Sequence, residues 1–172
     1  PRLAHPGVRG EGVSNRGNVE IERKFLVHTA RMTPDLLGSG DAITQGYLSQ
    51  RPTVRVRVVE PTYGDPQGFI TVKGPGSLVR AEFEYVVPAT DAHVMLEFCA
   101  TTLRKTRYSV SHGNHVWDVD CYHGHLHGLW TAEVELGTPD ETFDVPEWVT
   151  EDVTEDPRYT NVALARDGVP RA

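Results

Sequence analysis

From Val19 onward the chain alternates apolar and polar residues through most of its length, and in most alternating segments the polar positions are charged. Alternation of period two is the signature of strands with one apolar and one polar face. It predicts eight strands, at 19–27, 42–50, 53–60, 69–73, 78–87, 103–111, 115–121 and 129–136. Arg51-Pro52, the run 61–68, Gly74-Pro75-Gly76 and His112-Gly113-Asn114 read as the turns between them. The period changes between Pro88 and Thr101, where Ala92, Met95, Leu96 and Cys99 recur at three and four, so this stretch is an amphipathic helix capped by Thr90 or Asp91. Thr33-Pro34-Asp35 starts a single helical turn that Gly38-Ser39-Gly40 stops. A helical turn is expected near Glu147-Trp148-Val149, and a C-terminal helix from Pro157 to Ala165. Residues 1–18 have no apolar period and read as a flexible leader, part of it derived from expression, so the folded domain is expected over 19–168.

The charges within these strands come in pairs of one sign at i and i+2: Glu20/Glu22, Arg55/Arg57, Glu82/Glu84, Lys105/Arg107, Asp118/Asp120 and Glu133/Glu135, with Lys24, Lys73 and Arg80 at matching parity. Side chains at i and i+2 of a strand share a face, so each segment has one nearly pure charged face and one apolar face. Solvated strand faces would be mixed in character. Buried structural ion pairs in this number would be unfavourable, because desolvating each ion costs several kcal/mol that pairing rarely returns. The remaining solution is a closed eight-stranded antiparallel β-barrel, mainly β in an α+β chain, with its charges inside around water, metal and an anionic ligand. Its outer face then carries Val54, Val56, Val58, Phe83, Tyr85, Val119, Ala132 and Val134, which need cover from the helices or from a second subunit of a homodimer.

A chain of 172 residues is one domain with room for a real core, and its hydrophobic content of 38% is that of a globular protein. The net charge of −7 argues against a nucleic-acid surface as the main function. Cys99 and Cys121 are too few for a disulfide framework and read as free thiols in the cytoplasm. No apolar run approaches the roughly 18 residues a membrane span needs. The segment His123-Gly124-His125-Leu126-His127 invites a zinc reading, but its glycines and its place between two strands favour a solvated loop.

Taken together, these residues resemble the CYTH superfamily of triphosphate tunnel metalloenzymes, in its bacterial inorganic triphosphatase-like branch. The likeness covers about residues 19–168 and rests on Glu20-Ile21-Glu22-Arg23-Lys24, Arg55/Arg57, Lys73, Glu82/Glu84, Leu103 to Tyr108, Trp117 to Asp120, Ala132 to Leu136 and the tail Asp156 to Asn161. It implies a hydrolase whose substrate, a small anionic triphosphate, lies inside the barrel. Such a ligand needs fixed cations. Arg55, Arg57 and Arg107 offer planar forks, Lys24, Lys73 and Lys105 offer point charges, and Arg80 lies on the same face as Glu82. Carboxylates would repel phosphate, so Glu20, Glu22, Glu133, Glu135, Asp120 and Glu82 are expected to hold magnesium or manganese, two ions by resemblance. Lys105, crowded by cations, and Glu84 are the expected catalytic groups, with phosphate binding alone an equal alternative for Lys105. The resemblance also implies that the C-terminal helix covers one tunnel mouth and that Tyr159 faces the cavity; Trp148 is expected to pack.

Three functions fit this pattern. The first is metal-dependent hydrolysis of inorganic triphosphate to pyrophosphate and phosphate. The second is a class IV adenylate cyclase, or a nucleoside or thiamine triphosphatase, on the same scaffold. The third is a non-catalytic polyphosphate-binding module, which the carboxylates oppose. No base-stacking aromatic or amide pair stands out at tunnel-facing positions, which favours the inorganic substrate.

Overall fold

The computed structural model describes residues 19–171, so the expected leader lies outside the described residues. The strands are β1 (Val19–Val27), β2 (Asp41–Gln50), β3 (Thr53–Glu60), β4 (Gln67–Lys73), β5 (Val79–Val87), β6 (Thr102–His112), β7 (His115–Tyr122), β8 (Trp130–Glu135) and β9 (Val149–Asp152). Neighbours run β5-β4-β3-β2-β6-β7-β8-β1, all antiparallel, and a β1–β5 pairing closes the ring into the expected eight-stranded barrel. Closure gives every strand of the circuit a neighbour on both sides, over only three residues at the β1–β5 seam. At the β6–β7 hairpin Gly113 takes φ 58°, and at the β4–β5 turn Gly76 takes φ 124° with Val79 O only 2.3 Å from where a Cβ would stand. Both positions require glycine.

The ninth strand corrects the helical turn expected near Glu147-Trp148-Val149: after a turn at 147–148 the chain extends along β1. The cause is an opening in the barrel wall. β5 pairs with β1 only from Val19 to Ile21, which would leave the backbone around Phe25–Val27 unpaired on that side, and β9 fills the gap with Phe25↔Asp152 and Val27↔Val149. The C-terminal helix also differs from expectation. Pro157–Tyr159 is a 3-10 turn capped by Asp156, and Thr160, extended at ψ 142°, caps a separate helix α3 (Asn161–Asp167). Among the described residues no helix is long and apolar enough to cross a membrane.

The barrel's outside is apolar and mostly covered by its own chain. Helix α2 (Ala89–Glu97) packs Ala92, Met95 and Leu96 onto Val56 and Val58; its N-cap is Pro88, with no side-chain cap bond from Thr90 or Asp91. On the opposite wall Phe25, Trp117, Val119, Ala132 and Val134 lie beneath Phe143 and Trp148 of the segment before β9 and beneath Met32, Leu36 and Leu37. The last two belong to the one-turn helix α1 (Pro34–Leu37), which Thr33 caps. Of the expected outer residues, Phe83 and Tyr85 on β5 remain exposed, at 38% and 59%. A third cluster closes one end of the barrel from within, where Leu164 and Ala165 of α3 meet Tyr47, Leu103 and Tyr122.

Candidate active site

Strand register assembles the interior. Residues opposite one another in a ladder share a face. Around the ring the ladders join Glu20↔Arg80, Lys73↔Glu82, Thr71↔Glu84, Arg55↔Thr71, Tyr47↔Arg55, Gln45↔Arg57, Arg107↔Asp120, Asp118↔Glu133 and Lys24↔Glu133. The parity seen in single strands therefore becomes one continuous charged lining.

A cavity of about 160 Å³ at its centre is walled by five acids (Glu20, Glu22, Glu82, Glu84, Glu133), five bases (Arg55, Arg57, Lys73, Arg80, Arg107) and Asn161. It opens into a larger chamber of about 540 Å³ bounded by the β2–β3 and β4–β5 turns and by residues 153–162. Tyr47 and Tyr159 line the chamber.

The ion pairs divide this lining into two ends. At one end Lys73 Nζ lies 2.5 Å from Glu82 and 3.1 Å from Glu20, while Arg80 reaches Glu20 at 2.7 Å and Glu22 at 2.5 Å. Glu22 is pushed up to about 7 by burial and by Glu133 and Glu20. Glu82 is also raised, by burial and its hydrogen bond with Glu20. Against its own burial, Glu20 is held down at about 2 by that bond, Lys73 and Arg80. This end is short of positive charge. At the other end Arg57 Nη2 bonds both Glu84 oxygens at 3.1 Å, its guanidinium lies 4.8 Å from the Phe69 ring centre, and Arg55 Nη2 reaches Thr71 Oγ1 at 3.0 Å and Glu84 at 3.3 Å. Burial and the neighbouring Arg55 push Arg57 down to about 10, and among the described residues the buried Nε atoms of Arg55 and Arg57 have no partner. This end is short of negative charge. Unpaired buried donors of this kind are unfavourable unless a ligand takes them up.

A family model for the CYTH domain matches residues 18–166. The chain belongs to the CYTH domain family. It is 35% identical over 153 residues to an inorganic triphosphatase of Acetivibrio thermocellus, covering 86% of this chain and 94% of that protein. An inorganic triphosphatase of Nitrosomonas europaea is 37% identical over 150 residues, covering 85% and 96%. A solved crystal structure of an inorganic triphosphatase superposes with a TM-score of 0.59 at 32% identity, over 85% of this chain and 93% of that one. A putative adenylate cyclase from Vibrio parahaemolyticus superposes at 0.51 with 19% identity, which shows the fold alone.

In this CYTH domain the expected charges do not all reach the cavity. Lys24 lies at the chamber wall, paired with Glu133 at 3.0 Å. Lys105 is 2% exposed, lines neither cavity and sits 2.5 Å from Asp120, which is fully buried. Burial and Arg107 push Lys105 down to about 8. Asp120 also takes two bonds of 2.7 Å from Arg107, which in turn reaches Asp118 at 2.7 Å and Glu133 at 2.8 Å. Lys105 and Asp120 thus form a layer behind Arg107, away from where a ligand would lie. Glu135 stands opposite Glu22 in the ladder but is exposed and outside both cavities. His123 bonds Thr106 Oγ1 through Nε2 at 2.8 Å, beside a 3-10 turn at Gly124–Leu126.

Sequence reasoning passed over the neutral interior residues Gln45, Tyr47, Thr71, Tyr122 and Asn161. The signal was present for four of them, since Gln45, Tyr47, Thr71 and Tyr122 keep the parity of charged neighbours. Tyr47 adds to the chamber wall an aromatic that the sequence did not single out, and Tyr159 also lies there, as the resemblance implied.

A divalent cation fits this lining by chemistry. The donors at the cation-poor end, Glu20, Glu22 and Glu82, are hard oxygens, as is the neighbouring Glu133, which Lys24 and Arg107 hold as the carboxylate, and Glu22 is raised by burial and by its like-charged neighbours. Among the described residues no three such groups converge as a ready cage, because Lys73 and Arg80 lie between them.

Proposed function

We infer that this CYTH protein hydrolyses inorganic triphosphate to pyrophosphate and phosphate, with a divalent cation, magnesium or manganese, held by Glu20, Glu22, Glu82 and Glu133. The observation that carries this reading is the two-ended electrostatics of one small cavity: a carboxylate end wanting cations beside a guanidinium end wanting anions. Both curated relatives named above are inorganic triphosphatases.

The lining's five acids and five bases nearly cancel, so a buried triphosphate carrying about four to five negative charges would lack compensation. Two divalent ions would supply about the charge required. When bound, such ions neutralise phosphate oxygens and favour attack by water. The protein's own groups do the rest. Arg55, Arg57 and Arg107 present planar forks to phosphoryl oxygens, and Lys73 adds a point charge at the carboxylate end. Arg80 is poised to exchange Glu20 and Glu22 for phosphate once those acids take a cation. Glu84, held by Thr71 Oγ1 at 2.7 Å, keeps Arg55 and Arg57 aimed at the same place. Alignment and neutralisation of this kind account for most catalysis of phosphoryl transfer. Free Cys99 and Cys121 support a cytoplasmic setting.

The 540 Å³ chamber, with Tyr47 and Tyr159 in its wall, favours a second reading in which an organic group on the triphosphate rests there. Phosphate release from tripolyphosphate, ATP and thiamine triphosphate, each with Mg2+, Mn2+ or excess EDTA, separates the two. Fastest turnover of tripolyphosphate, abolished by EDTA, is expected. Faster turnover of ATP or thiamine triphosphate, or a cyclic nucleotide as product, would favour the organic reading, and full activity in EDTA would remove the cation.

A further inference from the structure

We propose that Asn161 is a substrate-binding residue, whose side-chain amide donates to a phosphoryl oxygen where the charged cavity opens into the chamber. This rests on the triphosphatase reading and adds a neutral donor from outside the barrel to it. Six residues line both spaces: Glu22, Arg55, Lys73, Arg80, Glu133 and Asn161. Five are barrel charges; Asn161 comes from the first turn of α3.

The orientation of its amide is set by one contact. Tyr122, fully buried inside the barrel, donates its hydroxyl to Asn161 Oδ1 at 2.6 Å. Burial raises the Tyr122 pKa, so the phenol stays protonated and remains a donor. With Oδ1 occupied, the amide turns its Nδ2 hydrogens the other way, and among the described residues they make no hydrogen bond. A group that offers only N–H at a junction of two anion-accessible spaces matches an acceptor such as a phosphoryl oxygen.

Asn161 is not needed merely to fasten the helix. Leu164 is fully buried against the barrel end, with Ala163 and Ala165 nearly so, and Thr160 caps the helix start at Ala163 N.

Three variants separate a donor from a latch. Asn161→Asp keeps an oxygen for the Tyr122 hydroxyl but loses the donors. Asn161→Ala loses both. Tyr122→Phe loses only the orienting bond. Tripolyphosphate affinity is measured with Mg2+ in single-turnover experiments, from the concentration dependence of the cleavage rate, and KM and kcat are measured with Mg2+ in the steady state. Asn161→Asp and Asn161→Ala are each expected to weaken binding and raise KM about tenfold or more, with a smaller change in kcat. Tyr122→Phe is expected to weaken binding about threefold, because the amide survives but is no longer held. Wild-type affinity in Asn161→Asp, or a Tyr122→Phe loss equal to that of Asn161→Ala, would make Asn161 a latch and overturn the proposal. A wild-type protein that neither binds nor hydrolyses tripolyphosphate would instead overturn the function reading, and this proposal with it.

Discussion

Replacing Asp120 by Asn tests whether the deepest acid is a metal ligand, as its sequence context implies, or a counter-ion, as its burial implies. In the structure Asp120 Oδ2 is 2.5 Å from Lys105 Nζ, and both its oxygens take bonds of 2.7 Å from Arg107. Asparagine would leave both cations with half a partner. Lys105, already pushed down to about 8, would be pushed further down without that carboxylate; this adds only about 1–2 kcal/mol, because each pKa unit corresponds to about 1.4 kcal/mol. Arg107 cannot shed its proton and loses one charge-assisted bond, costing about 1.5–3 kcal/mol. The sum, about 2.5–5 kcal/mol, agrees with the usual penalty for breaking a buried pair from one side. In a domain of this size it lowers Tm by roughly 5–20 °C. The sign of the pH dependence adds a second signature. A lysine whose folded pKa is depressed binds fewer protons folded than unfolded, so stability rises with pH through that window. The variant's deficit should therefore shrink between pH 7 and 9.5, leaving mainly the Arg107 part. Urea unfolding in EDTA at both pH values measures this. A loss below about 1 kcal/mol, together with weakened Mg2+ binding, would refute the counter-ion role and restore Asp120 as a metal ligand.

Glu22 should make the metal-free protein less stable as pH rises. Its folded pKa of about 7 exceeds the ordinary 4.5, so its stabilising contribution is complete below pH 4.5 and lost above pH 7. Glu22→Gln should flatten that slope, leave the variant more stable than wild type at pH 8.5 in EDTA, and remove most activity; a destabilised variant would contradict the crowding of carboxylates. Arg57→Lys keeps the charge but cannot span both Glu84 oxygens or stack on Phe69, so KM for tripolyphosphate should rise about tenfold with less change in kcat. An unchanged KM would mean that charge alone suffices there.

Which face a side chain occupies is a local property of a strand, and how deep it lies along the barrel is not. Parity alone assigned Glu22, Asp120 and Glu135 to the interior as equals, because i and i+2 share a face wherever the strand goes. Tilt and stagger then separate them: Asp120 falls behind Arg107, Glu22 reaches the cavity and Glu135 is exposed. No inspection of Asp118-Val119-Asp120 in isolation reveals this, since the depth of β7 is set by its register against β6 and β8. The same distinction explains β9. Val149-Thr150-Glu151-Asp152 is too short to alternate visibly, and it is a strand only because β5 leaves part of β1 unpaired, a gap created by residues about seventy positions earlier in the chain. Neutral interior groups were hidden for another reason. Gln45 and Tyr47 face inward with the parity of their partners Arg57 and Arg55, but on their own strand only Asp41, at its start, marks that face, and no charged pair does. Asn161 carries no parity at all, being placed by the docking of α3 against the barrel end. The charged pairs thus reveal the chemistry of the cavity, while its shape and its neutral contacts depend on contacts between elements far apart in the chain.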